Sequence, residues 1–166
     1  MIKSSKNIFV IMGVSGCGKS TIGRMLAETL SIPFFDGDDY HPEKNIQKMS
    51  KGEPLNDEDR YSWLMALNKL GGENQNNGAV IACSALKEMY RDIIEKDLDP
   101  VPIWIYLEGS YNAILKRLEQ RSGHFMPAKL LRSQFDDLEP PTKAICISIE
   151  LEPKEIINEI LEKLGY

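Results

Sequence analysis

Residues 13–20 read GVSGCGKS, with Thr21 directly after them. Gly13, Gly18, Lys19 and Ser20 meet the spacing G-x-x-x-x-G-K-S, between an apolar run and a helical stripe. Glycines at 13, 16 and 18 let the backbone turn its N–H groups toward an anion, in conformations that a side chain hinders. The start of the next helix adds partial positive charge. Lys19 reaches the β- and γ-phosphates of a nucleoside triphosphate, and Ser20 offers its hydroxyl to Mg²⁺. Ser15, Gly16, Cys17 and Thr21 complete the loop, with Cys17 read as a small filler rather than a nucleophile.

A bound triphosphate needs a receiver. At the end of the second apolar run stands DGDDYHP, where Asp36 and Asp38 project from a turn loosened by Gly37. Asp36 can help to place Mg²⁺, and Asp38 can accept the hydrogen bond and then the proton of an attacking hydroxyl. A solvated acidic turn is the plainer reading of the same residues. Arg117 and Arg121 lie one helical turn apart, where guanidiniums can stack on adenine and bridge phosphate oxygens. A solvated basic helix face is the alternative for both.

Holding such groups requires a scaffold, and its pattern is visible. Asn7–Met12, Ala79–Cys83 and Ile103–Leu107 are near-continuous apolar runs, as strands read when helices cover both sheet faces. Phe34–Asp36 is a shorter strand. Ile145–Leu151 alternates strictly and is expected at a sheet edge. Between them run helical stripes: Ile22, Met25, Leu26 and Leu30; Tyr111, Ile114, Leu115 and Leu118; and Ile156, Ile157, Ile160, Leu161 and Leu164. Ser110 suits an N-cap, and Pro153 a first helical turn. Gly71–Gly78 reads as a polar break. Strand alternating with helix predicts a parallel sheet. Two polar excursions, 38–70 and 122–142, depart from that scheme, where substrate sites and moving lids are usually carried.

The chain has 166 residues, 42% hydrophobic and 27% charged, and is expected to form one domain over residues 1–166. A net charge of −5 argues against a nucleic-acid surface. The first apolar run is too short for a membrane span and leads into the glycine loop. Three cysteines, Cys17, Cys83 and Cys146, fit reduced thiols. A soluble cytoplasmic protein acting on small molecules is expected.

Three longer strings are more particular: DGDDYHPEKNIQKMSKGEPLNDEDRYSWL from Asp36, CSALKEMYRD from Cys83, and RSGHFMPAKLLRSQFDDLEPP from Arg121. Together they closely resemble the gluconokinases, small kinases that phosphorylate D-gluconate with ATP. The resemblance runs from the first strand to about Pro141. It implies an α/β fold like that of the P-loop nucleoside kinases: three α/β/α layers, a five-stranded mainly parallel sheet, a substrate-binding excursion and an ATP lid. It also implies ATP + D-gluconate → ADP + 6-phosphogluconate with Mg²⁺, in a cytosolic homodimer.

Gluconate carries one carboxylate and a row of hydroxyls, so its pocket should combine fixed cations with several hydrogen-bonding groups. His41, Arg60, Lys87 and Arg91 are candidates, with His124 on the lid, although a surface salt bridge is the competing use for each cation. Trp63 and Tyr61 should pack beneath the excursion. Lys19, Asp38 and Arg121 are the expected catalytic groups, and Ser20 and Asp36 the metal-facing ones. Rival readings are a kinase for shikimate or another aldonic acid, and a nucleotide-gated binding protein without transfer activity.

Overall fold

The five segments expected as strands form five strands: β1 (Ile8–Met12), β2 (Phe34–Asp36), β3 (Ala79–Ala82), β4 (Ile103–Glu108) and β5 (Ile145–Ser148). These come from a computed structural model that describes residues 6–121 and 128–166. The strand order is β2-β3-β1-β4-β5, and each of the four pairings is parallel. The sheet is therefore wholly rather than mainly parallel over the described residues.

Its helices are α1 (Lys19–Leu30), α2 (Glu43–Ser50), α3 (Asp57–Asn74), α4 (Glu88–Glu95), α5 (Tyr111–Glu119), α6 (Ala128–Asp137) and α7 (Pro153–Leu164). Side chains of β1 alternate between two cores. Phe9 and Ile11 pack with Ile22 and Leu26 of α1, Ile114 of α5 and Ile160 of α7. Ile8, Val10 and Met12 pack on the other face with Trp63, Leu64 and Leu67 of α3 and Tyr90 and Ile94 of α4. Burial on both faces explains why β1 shows no polar position, and each fully buried large side chain contributes about 1.5–3 kcal/mol.

β5 is an edge strand, as its alternation predicts, but it stops at Ser148. The chain turns there, and Ile149 donates its N–H to Glu108 O at 2.9 Å while its side chain stays buried. Alternation thus outlasts the pairing. α3 runs through Gly71 and Gly72 to Asn74, because Leu70 and Gly71 are buried in its packing. Tertiary burial outweighs the weak helix propensity of glycine there. The 38–70 excursion consists of a 3-10 turn (Gly37–Tyr40), α2 and most of α3, and α6 lies within the 122–142 segment.

From β1 the chain passes to one side of the sheet, and from β3 it returns to the other. The loops after these strands open onto one crevice at the strands' C-terminal ends, where ligands of open α/β sheets are held.

Candidate active site

The glycine loop joins β1 to α1. Gly18 caps α1 with φ 98°, in the left-handed region, so the first N–H groups of the helix face the crevice. Gly16 has φ 84°, and a Cβ there would lie 2.8 Å from Leu118 of α5, so only glycine fits. Lys19 Nζ donates to the Val14 carbonyl of its own loop at 3.0 Å, which folds its ammonium back over the cradle. The resulting cavity, about 300 Å³, is lined by Ser15, Gly16 and Gly18–Thr21 of the loop together with Asp36, Asp38 and Arg121.

Asp36 links the two halves of this site. One carboxylate oxygen accepts from Ser20 Oγ at 2.9 Å, and the other accepts from the Asp38 backbone N–H at 3.0 Å, capping the 3-10 turn. Gly37 does not loosen that turn. A Cβ at Gly37 would lie 2.4 Å from the Ala82 carbonyl, so the glycine lets the turn press against β3. Trp63 Nε1 closes the clamp by donating to Gly37 O at 2.8 Å. Asp38 is open to the crevice yet hemmed in by protein. Its carboxyl is raised above the ordinary 3.8, first by lost solvation, against the pull of Lys19 and with the help of Asp36 and Asp39.

A second cavity of about 380 Å³ lies beside the first, between the 3-10 turn, α2, α3 and α6. Asp38, His41, Arg60, Trp63 and Gln134 are on its wall. The two cavities share Ser15, Lys19 and Asp38. Arg60 is 8% exposed and enters from the first turn of α3. A capping box sets that turn: Asn56 accepts from Asp59 N–H at 2.8 Å, and Asp59 accepts from Asn56 N–H at 3.0 Å. Arg60 Nη1 donates to Tyr90 Oη at 2.8 Å and lies 3.5 Å from Asp137. His41 stacks on Trp63, with ring centroids 4.1 Å apart. Desolvation first, and then the Arg60 charge, lower its imidazole to about 4, so it is neutral near pH 7.

The crevice gathers Ser15, Gly16, Gly18, Lys19, Ser20, Thr21, Asp36, Asp38 and Arg121 around one cavity, and His41 and Arg60 around the other. Other expected residues lie elsewhere. Gly13 and Cys17 do not line the phosphate cavity: Cys17 is 1% exposed in the core, and its N–H is used by Val14 O at 3.3 Å. Arg117 donates to the Ile149 carbonyl and joins α5 to the end of β5, away from the phosphate cavity.

Lys87 donates to Asp57 at 2.9 Å, lies 4.0 Å from Asp137, and is absent from the second cavity's wall. Arg91 is a structural residue. Its guanidinium donates to the carbonyls of Ala85 (2.8 Å), Leu86 (3.2 Å) and Glu139 (2.9 Å), binding the loop after β3 to the segment after α6. Tyr61 is 58% exposed rather than packed beneath the excursion, since it faces outward on α3 while Trp63 faces inward. His124 lies outside the described residues.

Residues without an assigned role in the sequence reading also meet here. Gln134 Nε2 donates to Ser15 Oγ, joining α6 to the glycine loop. Asn45 contacts His41, and Asp57, Tyr90 and Asp137 surround Arg60 and Lys87. Gln134 and Asp137 stand in the string SQFDD, and their helical spacing, i and i+3, was the available signal that both face one way.

The family model described as Shikimate kinase matches residues 15–165. A probable gluconokinase of Rattus norvegicus is 44% identical over 179 residues, covering 95% of this chain and 97% of its own. The chain belongs to the gluconokinase family. Another relative, the thermosensitive gluconokinase of Escherichia coli (strain K12), is 51% identical over 135 residues, 80% of this chain and 72% of that protein. A solved gluconokinase from Sinorhizobium meliloti 1021 superposes with a TM-score of 0.89 at 38% identity, covering 96% of this chain and 92% of that one. Membership of the gluconokinase family makes the chain a kinase on a phosphate-loop scaffold.

Proposed function

We propose that the chain transfers the γ-phosphoryl group of ATP to the 6-hydroxyl of D-gluconate, forming 6-phospho-D-gluconate and ADP. One observation carries this reading: the phosphate cavity and the second cavity share Ser15, Lys19 and Asp38, so donor and acceptor meet at those residues. The glycine loop, Lys19 and Arg121 hold the triphosphate and offset charge on the transferring group. Asp38, with its raised carboxyl, orients the acceptor hydroxyl and takes its proton. Arg60 binds the sugar-acid carboxylate, and His41 binds a hydroxyl.

Ser20 Oγ and Asp36 Oδ2, 2.9 Å apart beside the phosphate cradle, form an oxygen donor pair suited to a hard divalent cation. Mg²⁺ held by these two oxygens would supply charge neutralisation to the triphosphate. No described helix is long and apolar enough to cross a membrane. A single kinase domain, with an acceptor excursion at 38–70 and a lid at 122–142, acting as a cytoplasmic homodimer without nucleic acid, completes the reading. The family resemblance supports that assembly, and sedimentation of the purified chain measures it.

The test is ADP release with D-gluconate, L-idonate and shikimate side by side. D-Gluconate should stimulate release most strongly and yield a phosphate ester at carbon 6, read by phosphorus NMR. No response to D-gluconate overturns the assignment.

A further inference from the structure

Asn45 is the one buried residue of α2, at 1% exposure, on a helix that otherwise faces solvent or is half-covered. Its Nδ2 makes two contacts, to Asp59 O at 2.8 Å and to His41 Nδ1 at 3.2 Å. A backbone carbonyl only accepts, so the nitrogen must face Asp59; turning the amide over would set oxygen against oxygen. The same nitrogen therefore faces His41, and an amide nitrogen only donates. His41 Nδ1 is left as the acceptor, and the proton of the neutral ring resides on Nε2.

Two further contacts fix where that proton points. The imidazole lies on Trp63 at 4.1 Å and 16°, and Trp63 is itself tied to Gly37 O, next to Asp38. His41 lines the acceptor cavity with Asp38, Arg60, Lys19 and Glu53, which are the charged groups facing it from the 3-10 turn, α3, α1 and the segment after α2. Lost solvation and Arg60 both disfavour the imidazolium. Asn45 Oδ1 is buried and has no hydrogen-bond partner among the described residues.

We propose that Asn45 is a positioning residue for the acceptor: it locks His41 as a fixed Nε2–H donor, so this part of the cavity selects a substrate oxygen that accepts. The inference rests on reading the second cavity as the acceptor site. A sugar acid with a hydroxyl at that place is bound, and its deoxy analogue loses the contact and leaves the donor unpaired.

The full chain, labelled with ¹⁵N-histidine, tests this by long-range ¹H–¹⁵N correlation from pH 5.5 to 8. It has two histidines, and the signals missing from His41→Gln identify His41. The expected result is a protonated, pyrrole-type Nε2 and an unprotonated, pyridine-type Nδ1 throughout. A protonated Nδ1, or a rapid mixture of tautomers, overturns the proposal. In Asn45→Asp the carboxylate accepts from Nδ1, so the pattern should reverse or become imidazolium. The acceptor KM should then rise about tenfold while the ATP KM stays unchanged. An unchanged His41 spectrum and acceptor KM in that variant also overturn it. Should Asn45→Asp not fold, the wild-type spectrum decides. That spectrum needs no substrate, so a failed D-gluconate assay and a failed tautomer remain distinguishable.

Discussion

The side chain of Gln134 on α6 grips the backbone and the hydroxyl of Ser15 together. Its Oε1 accepts from the Ser15 N–H at 2.7 Å, and its Nε2 donates to Ser15 Oγ at 3.0 Å. Ser15 borders both cavities, so this pair of bonds ties α6 to the wall that the two cavities share. Elsewhere α6 is anchored by Arg132, 4.1 Å from the Tyr111 ring centroid, and by Leu131 in the core.

Gln134→Ala removes both bonds, each worth about 1 kcal/mol. Transfer to D-gluconate should fall about tenfold, and ADP release without acceptor should rise relative to it, because a looser α6 excludes water less well. Coupled assays with and without D-gluconate measure the ratio. An unchanged ratio removes Gln134 from this role.

Asp38→Asn keeps the shape of the turn and removes the proton acceptor. Turnover should drop by about 10²–10⁴-fold, the usual range for a lost general base. ATP affinity by titration calorimetry should stay within about twofold. In the proposed mechanism Asp38 must be ionised to accept the proton, and burial raises its carboxyl above 3.8. The acid limb of kcat/KM should accordingly lie at higher pH than an ordinary carboxylate gives, and should vanish from the residual activity of Asp38→Asn.

Arg60 and Lys87 should separate sharply. Arg60→Lys exchanges a planar fork for a point charge on the cavity wall, so the KM for D-gluconate should rise about tenfold or more. Lys87→Met acts on a cation already held by Asp57, and KM should change less than about threefold. Equal effects from the two variants would mean that Lys87 reaches the substrate.

Arg91→Ala should be a stability lesion with catalysis spared. Three backbone carbonyls lose their donor, at a cost of about 3 kcal/mol. For a chain of this size that corresponds to a melting point lower by about 6–12 °C. At a temperature where the variant remains folded, both KM values should match wild type.

His41 should also shape acid stability. Its folded pKa of about 4 lies below the unfolded 6.5, so the unfolded chain binds the extra proton first. Stability from the neutral ring is fully present above pH 6.5 and is lost as pH falls toward 4. Urea unfolding of His41→Gln should show a shallower decline across that window than wild type.

The fold was legible because the strands of a parallel sheet covered on both faces, β1, β3 and β4, write themselves as near-continuous apolar runs, while β2 showed as a short strand and the edge strand β5 as an alternating one. The boundaries that slipped, at Ser148 and Asn74, are places where tertiary contacts outlast or override local pattern. The phosphate cradle was legible for a different reason: its chemistry is local, carried by backbone N–H groups within eight residues. The cations of the second cavity were not. Arg60, Lys87 and Arg91 are equivalent on paper, and what divides them is which carboxylate or carbonyl the fold sets opposite each. Asn45 could not be found at all without coordinates, since its work depends on the Asp59 carbonyl, 14 residues away.

The shared wall of the two cavities also bears on stereochemistry. Ser15, Lys19 and Asp38 stand at the junction, whereas the thiols of Cys17 and Cys83 are buried in the core, with burial lifting that of Cys83 to about 12. No described thiolate is placed to carry the phosphoryl group between the halves of the site. In the proposed reaction the group passes directly from ATP to the acceptor hydroxyl in a single in-line displacement. A γ-phosphate made chiral with oxygen isotopes should therefore reach the sugar acid with its configuration inverted.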